Sequence, residues 1–331
     1  MNKLRLWIGA FLVAALGSGT AFADQVVIGT GGTGGVYFYY GTQVAQIIST
    51  NTKLNATAIQ TAASVDNNLL LRDKTNAKRG MYYCGLSLPD TALVAYNGTH
   101  EKFVGKPAPI RILFVMYPNV LQIVTTADSG ITQLSDLAGK RVSTGAPSSG
   151  TEYSSLGLLK VAGVDKNSFA KWARLGAGES ADELSNGTLD AYFWWGGIPT
   201  GSISELATTL ERKGKKIALM SLDPEGKVIQ AFDKEFPGLG NPVTIPAKVY
   251  GTASDVATFG FWNQFVCPAS MPDDDAYAIT KAIFEHTDGL SKSIAAAKDT
   301  TVANNVRFIQ HSAIPFHDGA LRYFKEIGAI K

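Results

Sequence analysis

Apolar residues in this chain come in short blocks whose internal spacing alternates between a strand period and a helix period. Val26-Val27-Ile28 is a continuous apolar run ending at Gly29, the length of a buried strand. Behind it, Tyr37, Tyr40, Val44 and Ile48 recur at helical spacing. Residues 54–60 read as a second strand, and 65–72 as a helix that Thr61-Ala62-Ala63-Ser64 leads into. Extended segments are expected at 78–85, 110–115 and 121–125. Further along, strands are expected at 141–144, around Trp172 to Leu175, at 189–195 and at 216–219. Helices over 153–162, 179–186 and 202–210 alternate with them. The stretch 259–268 is apolar and extended like 112–125, and helices follow at 274–285 and 319–327. Strands alternating with helices predict an α/β architecture rather than an all-β sandwich.

Two of the predicted strand-to-helix junctions carry chemistry. The first is Gly29-Thr30-Gly31-Gly32-Thr33-Gly34-Gly35-Val36-Tyr37. Its glycines permit close approach of a ligand, and the first amides of the following helix have no intrahelical acceptor. With the hydroxyls of Thr30 and Thr33 they form a place for an anion. The second is Pro147-Ser148-Ser149-Gly150-Thr151-Glu152, which sets three hydroxyls before a helix and suits a carboxylate. The spacing Gly29-x-Gly31-x-x-Gly34 also matches a dinucleotide fingerprint, but Gln60 stands where that motif needs an acid at the end of the next strand.

Composition narrows the setting. The 331 residues carry 30 basic and 28 acidic side chains, and no basic stripe points to nucleic acid. Residues 1–23 show the parts of a secretory signal: Lys3 and Arg5, an apolar stretch over 6–16, and Ala21-Phe22-Ala23 as a cleavage site. Export to the periplasm with cleavage after Ala23 is therefore expected. The remaining length suits two domains. The two cysteines, Cys84 and Cys267, either pair in an oxidising compartment or stay as buried thiols, and spacing does not choose. The histidines at 100, 286, 311 and 317 form no metal-ligand spacing, and no serine–histidine–acid set stands out. Neither a metal, a cofactor nor catalysis is expected.

The ordered motifs resemble the TAXI-type substrate-binding proteins of tripartite ATP-independent periplasmic (TRAP) transporters. The match begins with Val27-Ile28-Gly29-Thr30-Gly31-Gly32-Thr33-Gly34-Gly35-Val36-Tyr37 and continues through Ser64-Val65-Asp66-Asn67. Leu137-Ala138-Gly139-Lys140-Arg141-Val142, Gly145-Ala146-Pro147-Ser148-Ser149-Gly150-Thr151-Glu152 and Leu189-Asp190-Ala191-Tyr192-Phe193 follow. The series ends with residues 277–285 and with Pro315-Phe316-His317-Asp318-Gly319-Ala320. The resemblance implies a two-lobed, type II-like periplasmic binding fold with two hinge-crossing strands. It also implies closure on a small carboxylate or amino acid, and delivery to a membrane permease driven by an ion gradient. The chain departs from that pattern at Ala62-Ala63, where relatives tend to have glycines, so the second helix is expected to open less permissively.

On this reading lobe 1 comprises 24–122 and 266–331, and lobe 2 comprises 123–265. The expected ligand contacts are Thr30, Gly31, Thr33, Gly34, Gly35, Val36 and Tyr37 in the first turn, with Ser64 and Asn67 at the second helix start. From lobe 2 come Ser148, Ser149 and Thr151, Arg174 as a bidentate carboxylate partner, and Phe193, Trp194 and Trp195 as an aromatic wall. Each has a plainer role open to it: helix capping for Ser64 and Asn67, a surface ion pair for Arg174, core packing for the aromatics. The partners expected are a small organic acid or amino acid and a TRAP permease, with the receptor a monomer and no nucleic acid involved. A receptor reporting to a sensor kinase, and an exported hydrolase using the same cleft, are the competing readings.

Overall fold

The structure, a computed structural model, describes residues 24–75 and 80–331. The expected signal segment, 1–23, lies outside the described residues, as does the start of the strand expected at 78–85. Ten strands form one mixed sheet: β1 (Gln25–Gly29), β2 (Asn55–Ile59), β3 (Met81–Ser87), β4 (Ile110–Thr126), β5 (Arg141–Ser143), β6 (Lys171–Ala173), β7 (Ala191–Gly196), β8 (Ile217–Leu219), β9 (Asn241–Ile245) and β10 (Val256–Pro268). Their order is β2-β1-β3-β10-β4-β7-β5-β6, with β8 added to β4 and β9 to β10. The helices are α1 (Val36–Asn51), α2 (Ser64–Lys74), α3 (Pro89–Asn97), α4 (Gly150–Val161), α5 (Ala177–Ser185), α6 (Gly201–Arg212), α7 (Lys227–Glu235), α8 (Asp273–Glu285), α9 (Thr287–Ser293), α10 (Val302–Ile309) and α11 (Asp318–Glu326). Among these, α3, α7, α9 and α10 have no counterpart in the sequence-based expectation. They run only seven to nine residues each, so that even the helical spacing of Val302, Val306 and Ile309 in α10 covers too short a stretch to stand out from a loop.

The topology repeats. In one half β1 pairs in parallel with β2 and β3; in the other β5 pairs in parallel with β6 and β7. A parallel pair needs a helical crossover, so each strand's carboxyl end delivers a helix start to the same edge of its half. The halves share β4 and β10. Residues 110–120 of β4 pair with 260–268 of β10, after which β4 runs on to β7 and β8, while the start of β10 pairs with β9. The ladder shifts register between Trp262 and Gln264, opposite Pro118, which has no N–H to donate. This irregularity marks where the shared strands pass from one half to the other. The lobe boundaries expected at 122/123 and 265/266 lie within these same two strands.

Each half has its own apolar core. Val26, Ile28, Tyr40, Val44 and Ile48 pack with Ile279 and Ile283 of α8 in the first. In the second, Trp195 stacks on Phe261 with ring centres 5.0 Å apart, and Phe232 and Phe259 complete the group. Cys84 of β3 and Cys267 of β10 are joined by a disulfide in the first half, which decides the question that spacing left open. Among the described residues no helix is long and apolar enough to cross a membrane.

Candidate functional site

Between the halves lies a cavity of about 260 Å³. The starts of four helices, α1, α2, α4 and α5, border it. At an α-helix start the first amides lack intrahelical acceptors, so each start turns N–H groups and the positive end of the helix dipole toward the cavity. The caps leave some of these donors uncommitted by side chains. Gly35 and Ala63, the N-caps of α1 and α2, provide no side-chain acceptor. Ser149 caps α4 by accepting from the Glu152 amide at 2.9 Å, and Glu179 accepts from the Gly176 amide at 2.9 Å at the start of α5. Ala63 adopts φ 81° and ψ −142°, a conformation ordinarily left to glycine. The backbone turn here thus takes a glycine-type shape in spite of the Ala62-Ala63 departure.

Of the residues singled out in the sequence, Gly31, Thr33, Gly34, Gly35, Val36 and Tyr37 line the cavity from α1 and its turn, and Ser64 from α2. Ser149, Thr151, Trp194 and Trp195 line it from the opposite half. Trp194 lies across the first turn, its ring against Gly35, whereas the Trp195 ring turns into the aromatic core, as strand alternation requires.

Five residues are placed elsewhere. Thr30 is fully buried, and its hydroxyl donates to the Ile59 carbonyl at 2.7 Å. Asn67 donates to the carbonyls of Thr30 and Leu86, both at 2.8 Å, and so fastens the first turn to β3 from behind. Phe193 points to the buried face of β7 and packs in the core of its half. Ser148 and Arg174 line a separate groove outside the cavity. Ser148 sits at φ 67°, meets Lys102 from the other half, and accepts from the Asp66 amide at 3.2 Å through its carbonyl. Arg174 forks onto the Glu152 carboxylate, Nη2 to Oε2 at 2.9 Å, which is the surface ion pair weighed against carboxylate recognition.

Sequence reading passed over several lining residues. Gly176, Ala177, Gly178 and Glu179 lie ahead of or at the start of the helix that the sequence pattern predicts from 179, whereas the helix begins at 177. The signal was present: Gly176 followed three residues later by Glu179 is a helix-start pattern. Tyr117 and Asn119 were hidden in a segment read only as an apolar strand. Gln60 and Thr61, at the end of β2, also face the cavity.

The two halves touch around the cavity. A Cβ at Gly34 would stand 2.7 Å from the Gly178 nitrogen, and one at Gly150 would stand 2.5 Å from the Ser64 hydroxyl. Asp90 of α3, buried completely, accepts a hydrogen bond from Ser154 of α4 at 2.5 Å. Burial pushes its carboxyl up to about 6, against the opposing pull of bonds from Ser154 and Thr91. Among the described residues the cavity lining contains no lysine, arginine or histidine, and Glu179 is the one acidic residue in it. Burial also raises the Tyr37 hydroxyl, which stays protonated and meets Asn263. Among the described residues no group of three metal-ligating side chains occurs.

Two halves of repeated topology, joined by two shared strands and closed over a cavity of helix starts, define the two-lobed α/β fold of periplasmic binding proteins. The chain belongs to the NMT1-like family, matching it over residues 28–328. It is similar in fold to MatC of Rhodopseudomonas palustris, solved with bound malate, at 12% identity and a TM-score of 0.55, over 92% of this chain and 98% of that one. It is likewise similar to a binding protein component of an ABC phosphonate transporter from Pseudomonas aeruginosa, at 11% identity and a TM-score of 0.52, over 93% and 95% of the two chains. An extracytoplasmic location is consistent with this fold.

Proposed function

We propose that this protein is a periplasmic receptor, not an enzyme, that captures a small organic acid between its lobes and delivers it to the membrane permease of a TRAP transporter. The observation that carries the reading is the convergence of four helix starts on one cavity without a cationic side chain among its lining residues. A carboxylate there is held by backbone amides, by the hydroxyls of Thr33, Ser149 and Thr151, and by helix dipoles. Trp194 and Tyr37 exclude water, which strengthens those bonds. An affinity in the micromolar range needs roughly 8 kcal/mol, which several charge-assisted hydrogen bonds supply. The malate found in one protein of similar fold is in keeping with an acid ligand. The ordered motifs between residues 27 and 320 support the TRAP assignment, and the buried disulfide suits an oxidising compartment.

Binding proceeds from an open form in which one lobe holds the ligand. Closure about β4 and β10 then brings the second pair of helix starts onto it. A thermal-shift screen of the ligand-stripped protein against carboxylates, dicarboxylates and amino acids tests this. A rise of several degrees with one compound is expected; no rise with any of them refutes the acid-receptor reading. Uptake of that compound into vesicles holding the permease, with an ion gradient and without ATP, tests the partner. Uptake that requires ATP refutes it.

A further inference from the structure

Trp194 forms part of the cavity wall, and a buried chain of hydrogen bonds fixes where its ring stands. The chain starts on the shared strand β4, where Gln122 lies directly opposite Trp194 of β7. Nε2 of Gln122 faces the carbonyls of Val120 and Gly196, each at 3.4 Å, so its Oε1 is the end that accepts. That oxygen takes the Tyr250 hydroxyl at 2.7 Å, and the Tyr250 oxygen in turn accepts from the Thr200 amide at 2.8 Å. The Thr200 hydroxyl donates to the Gly197 carbonyl at 2.7 Å, which leaves its lone pairs for the indole Nε1–H of Trp194 at 3.1 Å. Gln122, Thr200 and Tyr250 are all buried. Two glycines give the ring its room. The indole folds back over Gly196, where a side chain would overlap Nε1. Its far edge rests across the cleft on Gly35, where a Cβ would stand 2.9 Å from Cζ2.

We infer that Thr200 and Tyr250 are positioning residues that lock the Trp194 ring, and that the locked ring sets an upper limit on the length of the ligand. This rests on the acid-receptor reading and deepens it. The one donor of Trp194 is committed to Thr200, so the ring meets a ligand with carbon alone and discriminates by size. Thr200 and Tyr250 belong to the same half as Trp194, and only Gly35 belongs to the other. The ring is therefore set before the lobes close, and closure brings the α1 turn onto a wall that does not yield. A freely turning indole would move aside for a longer acid; turning this one strips its N–H of a partner inside a closed cavity. Neither Thr200 nor Tyr250 lines the cavity, so their influence on the ligand passes through Trp194.

Titration calorimetry of the intact protein with two homologous series tests the assignment: monocarboxylates from acetate to octanoate, and α,ω-dicarboxylates from malonate to suberate. In wild type, affinity along the series that binds should climb and then drop about tenfold or more on adding one methylene, because a filled, rigid pocket rejects the next carbon. Thr200→Val removes the acceptor and keeps the shape, and it should move that drop to a longer acid. Tyr250→Phe should move it the same way, and Thr200→Ser should restore the wild-type limit. A second measurement needs no ligand: the Trp194 share of the fluorescence, taken in each variant as the difference on adding Trp194→Phe. It should become more open to acrylamide quenching in Thr200→Val and Tyr250→Phe, and not in Thr200→Ser. A limit that stays at the same acid in both variants, affinity lost equally at every chain length, or unchanged quenching overturns the inference and leaves the acid-receptor reading intact. Absence of binding by every acid overturns both.

Discussion

Asp90 gives the clearest quantitative expectation. Its carboxyl is fully buried on α3, and Ser154 of the opposite lobe is one of its donors. Burial raises it from 3.8 to about 6, so the folded, closed protein holds the proton more tightly than the unfolded chain does. The stability associated with that proton is complete at low pH and is lost as pH rises through the interval from about 4 to about 6. Between pH 4 and pH 7 the loss amounts to about 2 kcal/mol by proton linkage. The tyrosines nearest in charge, Tyr37 and Tyr153, are raised by burial and stay neutral throughout. His100, in ring contact with Tyr153, is lowered from the usual imidazole value by burial. The useful quantity is therefore a difference: urea unfolding of wild type and Asp90→Asn at half-unit steps of pH. Asn cannot ionise, so its advantage over wild type should grow by about 2 kcal/mol from pH 4 to pH 7, while shared titrations cancel. Because Ser154 comes from the other lobe, acid conditions should also favour closure. A stability difference that does not change with pH would refute the buried-carboxyl argument.

Other substitutions separate closure, contact and scaffold. Gly34→Ala places a methyl 2.7 Å from the Gly178 backbone across the cleft, so the lobes cannot seat fully. Affinity for the acid found in the screen should fall by about tenfold or more with little change in unliganded melting temperature. Thr151→Ala should weaken binding by about tenfold, whereas Arg174→Ala should leave it unchanged, since Arg174 pairs with Glu152 outside the cavity. Calorimetry on both variants decides, and an equal loss in the two would remove the distinction between cavity and groove. The Cys84–Cys267 disulfide spans 183 residues of sequence, and replacing both cysteines with alanine should cost about 2–5 kcal/mol in urea unfolding, chiefly through the freed unfolded chain. A loss below about 1 kcal/mol would contradict that account.

The alternation of strand and helix periods, and the chemistry at each junction, were legible in the residues themselves. Glycines, hydroxyls and a helix start are local features, and the turn before α1 and the loop before α4 both line the cavity as their composition suggests. Local pattern failed where a side chain's role depends on what lies behind it. Asn67 at a helix start looks like a ligand contact until the first turn and β3 are seen to supply its two acceptors. Arg174 looks like a carboxylate partner until Glu152, 22 residues away in sequence, is found beside it. Asp90 and α3 carried no period to read, and Asn119 was one polar residue in an apolar run.

What the chain determined by itself is therefore the set of parts: strand, glycine turn and helix start, repeated in each half, because these depend on neighbours a few residues apart. What only the tertiary structure decided is which parts meet. The disulfide, the bond from Ser154 to Asp90, the seat of Gly34 on Gly178 and the bond from Asn119 to Asn263 all join residues far apart in sequence. Such contacts arise from the path of β4 and β10 between the lobes, and hydrophobic periodicity records burial without recording the partner.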